Sequence, residues 1–147
     1  MNASDFMLDR EIKFDFENGY TTFRDSRILI FSSDAIGLLR QSLIKKLGFE
    51  AARDFFLQLG FQNGFSDFMQ INIGYSFNNE QQLFSSGPVI HTYEGIVKAI
   101  PEEFHLDREK GEFMARGLWL NSYEADQHLF YNELAHEPVC WSLMGYA

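Results

Sequence analysis

Residues 50–71 constrain the fold more than any other stretch of the chain. Ala52, Phe55, Phe56, Leu59, Phe61, Phe65, Phe68 and Met69 recur at helical spacing but wrap more than one face of the helix they predict. A helix apolar on one side rests on a core. One apolar on two sides needs a second cover, such as a partner subunit. Gly60 and Gly64 lie four residues apart, so another backbone can approach closely there. The segment therefore predicts a long helix between two apolar surfaces.

The elements around it alternate in period. Ile12, Phe14 and Phe16 alternate with Lys13, Asp15 and Glu17, the pattern of a half-buried strand. Asn18-Gly19 is a turn signal, and residues 20–23 and 27–31 read as further strands. Ser33, beside Asp34, is placed to cap a first helix whose face carries Ala35, Leu38, Leu39, Ser42, Leu43 and Leu47. Lys45, Lys46 and Gly48 close it. Residues 78–86 predict a short helix ended by Gly87-Pro88. Residues 91–106 and 113–120 predict a β-hairpin with a polar turn at 107–111. Asn121 or Ser122 caps a helix to about residue 134, and Pro138 begins the last one. N-terminal strands, two long helices, a hairpin and C-terminal helices make an α+β fold. At 147 residues it is expected to be one domain, residues 1–147.

The chain closes on EPVCWSLMGYA, an apolar helix with no polar tail, cap or terminal charge. This predicts an element that has lost its cover, in a fold incomplete at the C-terminus. The only cysteine, Cys140, lies within it.

Charge and composition exclude several classes. A net charge of −9 argues against contact with nucleic acid or an anionic membrane. No apolar run approaches the ~20 residues of a membrane span, and the N-terminus lacks a signal-peptide layout. One cysteine allows no internal disulfide and suits a reducing cytoplasm. Sixteen Phe and six Tyr call for a thick aromatic core or an aromatic-lined cavity.

The hairpin carries the candidate chemistry. One face of its first strand holds His91, Tyr93, Gly95, Val97 and Ala99; one face of the second holds Phe113, Ala115, Gly117 and Trp119. Glycines among rings leave space for a cavity wall. An indole N–H donates and a neutral imidazole both donates and accepts, so His91 and Trp119 together suit one hydroxyl on an aromatic ring. A packed histidine and a core tryptophan explain the same residues. If both lie in one straight ladder, His91 falls nine residues, about 30 Å, from the position opposite Trp119. They converge only if the strand bends or His91 lies outside the ladder. Cys140 reads as a buried thiol or as one metal ligand, but no zinc spacing surrounds it. No phosphate fingerprint, activated nucleophile or carboxylate pair is present, so neither an enzyme nor an organic cofactor is expected.

Four stretches, GLLRQSLIKKLGFEAARDFFLQLGFQNGFSD, GPVIHTYEGIV, WLNSYEAD and EPVCWSLMGYA, occur in this order and at these distances. Through them, residues 10–147 resemble the N-terminal sensory domain of the aromatic-responsive, sigma-54-dependent transcription activators of bacteria. The resemblance implies a vinyl-4-reductase-like sensory fold that binds a phenol-like effector in a buried pocket and thereby relieves repression of a following ATPase domain. It implies that His91 and Trp119 hold the effector hydroxyl. It makes Phe84, Val89, Tyr93, Ile96, Val97 and Gly117 candidate walls. Cys140 resembles the first ligand of the family's structural zinc; the other ligands, the ATPase and the DNA-binding helices lie outside these residues. The expectation is a cytoplasmic regulatory module, not an enzyme, that pairs as a homodimer. The alternatives are a small-molecule enzyme related to vinyl reductases, or a dimerisation module without ligand.

Overall fold

The computed structural model describes residues 1–147, the side chain of Leu8 excepted. Two short 3-10 turns, Ala3–Asp5 and Leu8–Arg10, lead into an antiparallel three-stranded sheet, β1 (Ile12–Asp15), β2 (Tyr20–Phe23) and β3 (Ser26–Ile28), in the order β1-β2-β3. Helices α1 (Ser33–Leu47), α2 (Phe49–Gly74) and α3 (Glu80–Tyr93) follow. Then come the hairpin β4 (Lys98–Asp107) and β5 (Glu112–Leu120), and helices α4 (Tyr123–Tyr131) and α5 (Trp141–Tyr146). The class is α+β, as the alternation of periods predicts. The cap of α1 is Ser32 rather than Ser33, because the Ser32 hydroxyl accepts the Ala35 N–H.

Two apolar clusters organise the chain. Phe6, Phe23, Ile71 and Ile90 join the N-terminal sheet to α2 and α3. Ala52, Phe56 and Trp141 join α2 to α5, with Leu43 and Ile44 of α1 packed on them.

The terminal helix departs from expectation. It begins at Trp141, not Pro138, and it is covered: Trp141 is 1% exposed and Leu143 is fully buried. The cover is α2 itself. A Cβ on Gly60 or Gly64 would run into the carbonyls of Ser142 and Tyr146, and one on Gly145 into that of Leu57. The two glycines singled out in the sequence thus face the chain's own α5. At its start α5 is held by Glu124, whose carboxylate accepts the Ser142 and Leu143 N–H groups at 3.1 and 3.0 Å. Buried Arg40 donates to the Val139 carbonyl at 2.7 Å and lies over the Trp141 ring at 3.7 Å.

The second departure decides where the candidate site lies. Helix α3 does not stop at Gly87-Pro88; Pro88 sits inside it, and residues 91–93 are helical, not a strand. A mid-helix proline removes one backbone bond and costs roughly 3 kcal/mol. Burial of Ile90 and His91 offsets that cost, and the Ser86 and Thr92 hydroxyls donate to the Leu83 and Pro88 carbonyls on either side of the break. Gly95, at φ +72°, ends the helix in the left-handed region that glycine adopts without strain. It serves a turn, not a space in a strand face.

Candidate functional site

His91 lies in the last turn of α3 and is 6% exposed. Its carbonyl accepts the Ile96 and Val97 N–H groups at 3.2 and 3.4 Å, which folds the chain back towards β4. The Thr92 hydroxyl then accepts the Ala99 N–H at 3.2 Å, and Ala99 pairs with Trp119 across the ladder. His91 therefore stands outside the ladder, on a helix laid against it.

The periods of the two elements show which residues share this interface. Phe84 and His91, seven apart, lie on one face of α3. The Phe84 ring meets those of Phe104 and Phe113 at 5.9 and 5.8 Å. Phe113 shares its face of β5 with Ala115, Gly117 and Trp119. Phe84 of α3 and Phe113 of β5 thus meet where the helix lies on the hairpin.

Other expected walls fall elsewhere. Val89 packs against the cluster of Phe6, Phe23, Ile71 and Ile90. Tyr93, half a turn round α3 from His91, is 45% exposed. Val97 is buried in the turn after α3. The space beside Gly117 is filled by the Ile100 carbonyl, drawn in where β4 is bulged between Pro101 and Glu103. Gly117 therefore serves a close backbone approach rather than room for a ring.

Ile96 belongs to a cavity of about 400 Å³ bounded by α1, α2 and α5. Phe31, Leu39, Phe56 and Leu59 give it an apolar wall; Tyr123 and Tyr146 bring hydroxyls. A dry apolar cavity of about 150 Å³ already admits benzene, so a substituted ring fits here by volume.

Tyr146 joins this cavity to His91. Its ring meets the imidazole edge-on, with centroids 4.7 Å apart. Its hydroxyl donates to Asp67 at 2.7 Å and lies 3.4 Å from Glu94. Burial holds the Asp67 carboxyl above its ordinary range. Glu94 is exposed by area, yet the protein packed about it and the charge of Asp67 push it up to about 7. Its solvent-facing edge tempers that push, so the upward direction is what the geometry supports. Burial drives the tyrosine hydroxyl well above its ordinary value, and the two carboxylates reinforce it. Burial alone pushes His91 down to about 4. The imidazole is neutral at neutral pH, able to donate from one nitrogen and accept at the other. Among the described residues its Nδ1 has no hydrogen-bond partner. Sequence reasoning missed Tyr146, Asp67 and Glu94. Tyr146 and Asp67 stand inside the quoted motifs, but 79 residues of separation hide their contact.

Cys140 lies 3.1 Å from the Ser122 hydroxyl, and burial raises its thiol pKa. Among the described residues no group of three or more His, Cys, Asp or Glu side chains is arranged to hold a metal ion. These residues do not fit a zinc site, which needs about four donors. None of the described helices is long and apolar enough to cross a membrane.

Residues 7–107 match the family described as "Activator of aromatic catabolism". The chain belongs to that family. It is 36% identical over 141 residues to the phenol regulator MopR of Acinetobacter guillouiae, covering 96% of this chain and 25% of that protein. It is 29% identical over 140 residues to the transcriptional regulatory protein XylR of Pseudomonas putida, covering 95% of this chain and 25% of that protein. The chain thus spans about a quarter of the length of these family members. The crystal structure of the phenol-responsive sensory domain of the transcription activator PoxR with phenol superposes with a TM-score of 0.89 at 30% identity. That match covers 98% of this chain and 71% of the other. The family and the fold agree with the resemblance read from the four motifs.

Proposed function

We propose that this chain is the effector-sensing part of a sigma-54-dependent activator of aromatic catabolism and that it binds a phenol-like ring. The observation that carries the reading is His91: a buried, neutral imidazole whose Nδ1 finds no partner among the described residues. An unpaired buried polar atom costs about 1–3 kcal/mol, a cost that a ligand hydroxyl removes. The hydroxyl meets His91, and Trp119 supplies a second donor from the facing strand. Phe84 and the rings of the hairpin offer the ring an apolar surface. A bare hydrocarbon leaves Nδ1 unpaired, so the site favours hydroxylated rings. The relatives that bear the words phenol regulator and phenol-responsive support the same ligand class.

Calorimetric titration with phenol tests this. His91→Ala should weaken binding by about 1–3 kcal/mol, and Trp119→Ala should weaken it too. Unchanged affinity in both variants overturns the reading. Turnover of phenol on incubation would instead favour an enzyme.

The same reading includes a homodimer. Phe55, Phe65, Met69 and Ile73 form an exposed stripe on α2, opposite the face that holds Phe56 and Gly60 against α5. Such a stripe calls for a cover, and a second copy supplies one with the same stripe. Phe65→Glu should convert a dimer to a monomer in sedimentation; a parent chain that sediments as a monomer overturns this part. Cys140 serves a zinc ion only with donors from outside these residues.

A further inference from the structure

Tyr146 has no role in the reading above, yet it contacts His91 directly. It lines the cavity, packs on the imidazole, and is anchored at its hydroxyl from two other elements. A hydroxyl has one proton and donates to one carboxylate at a time. The 2.7 Å contact identifies Asp67 of α2 as the acceptor. Glu94, at 3.4 Å, is the longer, alternative acceptor for the same hydroxyl. Asn63 adds a bond to Asp67 at 3.3 Å, so the acceptor is itself held.

The consequence falls on the imidazole. Nothing among the described residues binds its Nδ1, so no hydrogen bond there fixes the ring plane. The edge-on contact with Tyr146 bears directly on that plane. An aromatic pair of this geometry is favourable beyond the area it buries. Such a contact biases a side chain with a broad terminal torsion.

We propose that Tyr146 is a positioning residue for effector binding: tethered to Asp67 and Glu94, its ring holds the His91 imidazole in the plane that receives the effector hydroxyl. The inference rests on the effector reading of His91. It links α2, the end of α3 and α5 to the ligand through one side chain.

The test uses Tyr146→Phe, which keeps the ring and removes the tether. Phenol affinity is measured by calorimetry, and the nitrogen NMR signals of the His91 imidazole report its environment. Tyr146→Phe should weaken phenol binding about three- to tenfold, the loss of one hydrogen-bonded constraint, and should shift or broaden the His91 nitrogen signals. Unchanged affinity overturns the proposal, and so does weaker binding with the His91 signals unmoved, because a merely structural role would leave them in place. If Tyr146→Phe fails to fold, Asp67→Asn removes the charged acceptor with the ring intact and carries the same expectations. A parent chain that binds no phenol, or a His91→Ala chain that binds as the parent does, overturns the effector reading. A parent that binds through His91 while Tyr146→Phe behaves identically overturns only the role of Tyr146.

Discussion

Where α5 crosses α2, three glycines bring the backbones together, a carboxylate caps the short helix, and Trp141 is 1% exposed. Along β5 every residue is exposed, Phe113 at 59% and Trp119 at 42%. Both regions are rich in apolar side chains, so hydrophobicity does not separate them. The seam spends its apolar groups on its own chain; the hairpin leaves them for something else to cover. His91 stands between the two. Its helix lies against the hairpin, and its imidazole is held from the seam by Tyr146.

The comparison is broken most directly at Trp141. Trp141→Ala should lose about 3–5 kcal/mol of stability in urea unfolding, the usual range for a fully buried large ring. A loss below about 1 kcal/mol would mean that the seam is not where stability resides.

The next effect comes from pH. The folded His91 pKa, about 4, lies below its ordinary 6.5. Below 6.5 the unfolded chain takes up a proton that the folded chain refuses, so stability falls with pH until about 4 and then levels. The loss is on the order of 3 kcal/mol. Glu94, pushed upward, acts in the opposite sense between its ordinary 4.5 and about 7. Unfolding curves of the parent and His91→Gln across this window isolate the histidine: the difference between them should shrink as pH falls. Parallel curves would place the imidazole in solvent.

Gly60→Ala should cost about 1–3 kcal/mol, since the added methyl meets the Ser142 carbonyl and backbone gives way poorly. A neutral result in thermal unfolding would mean that α5 shifts freely on α2. The smallest stability effect is Phe113→Ala, at or below about 1 kcal/mol for an exposed strand position. A larger loss would show that the hairpin contributes to the platform.

Legibility followed the range of the forces. The alternation at Ile12–Asp15, the turn at Asn18-Gly19 and the helical spacing of α1 and α2 are local signals, and the structure follows them to within a few residues. Gly60 and Gly64 announced a close approach, but not that α5 makes it. Gly87-Pro88 misled, because a proline's local cost was outweighed by burial of Ile90 and His91, which no window of sequence displays. Phe84 meets the hairpin through Phe113, and His91 stands on the same helix, outside the ladder. Val89 and Tyr93 turned away once residues 91–93 proved helical, since a helix and a strand distribute the same side chains over different faces.

The sequence by itself determined the order and period of most elements and the family, which reside in contiguous motifs. Only the tertiary structure decided that the histidine is helical, that its Nδ1 is left unpaired, and that Tyr146, Asp67 and Glu94 meet beside it. The reason is physical. Periodicity reports how a segment faces a core, whereas a hydrogen bond across 79 residues depends on how the segments dock.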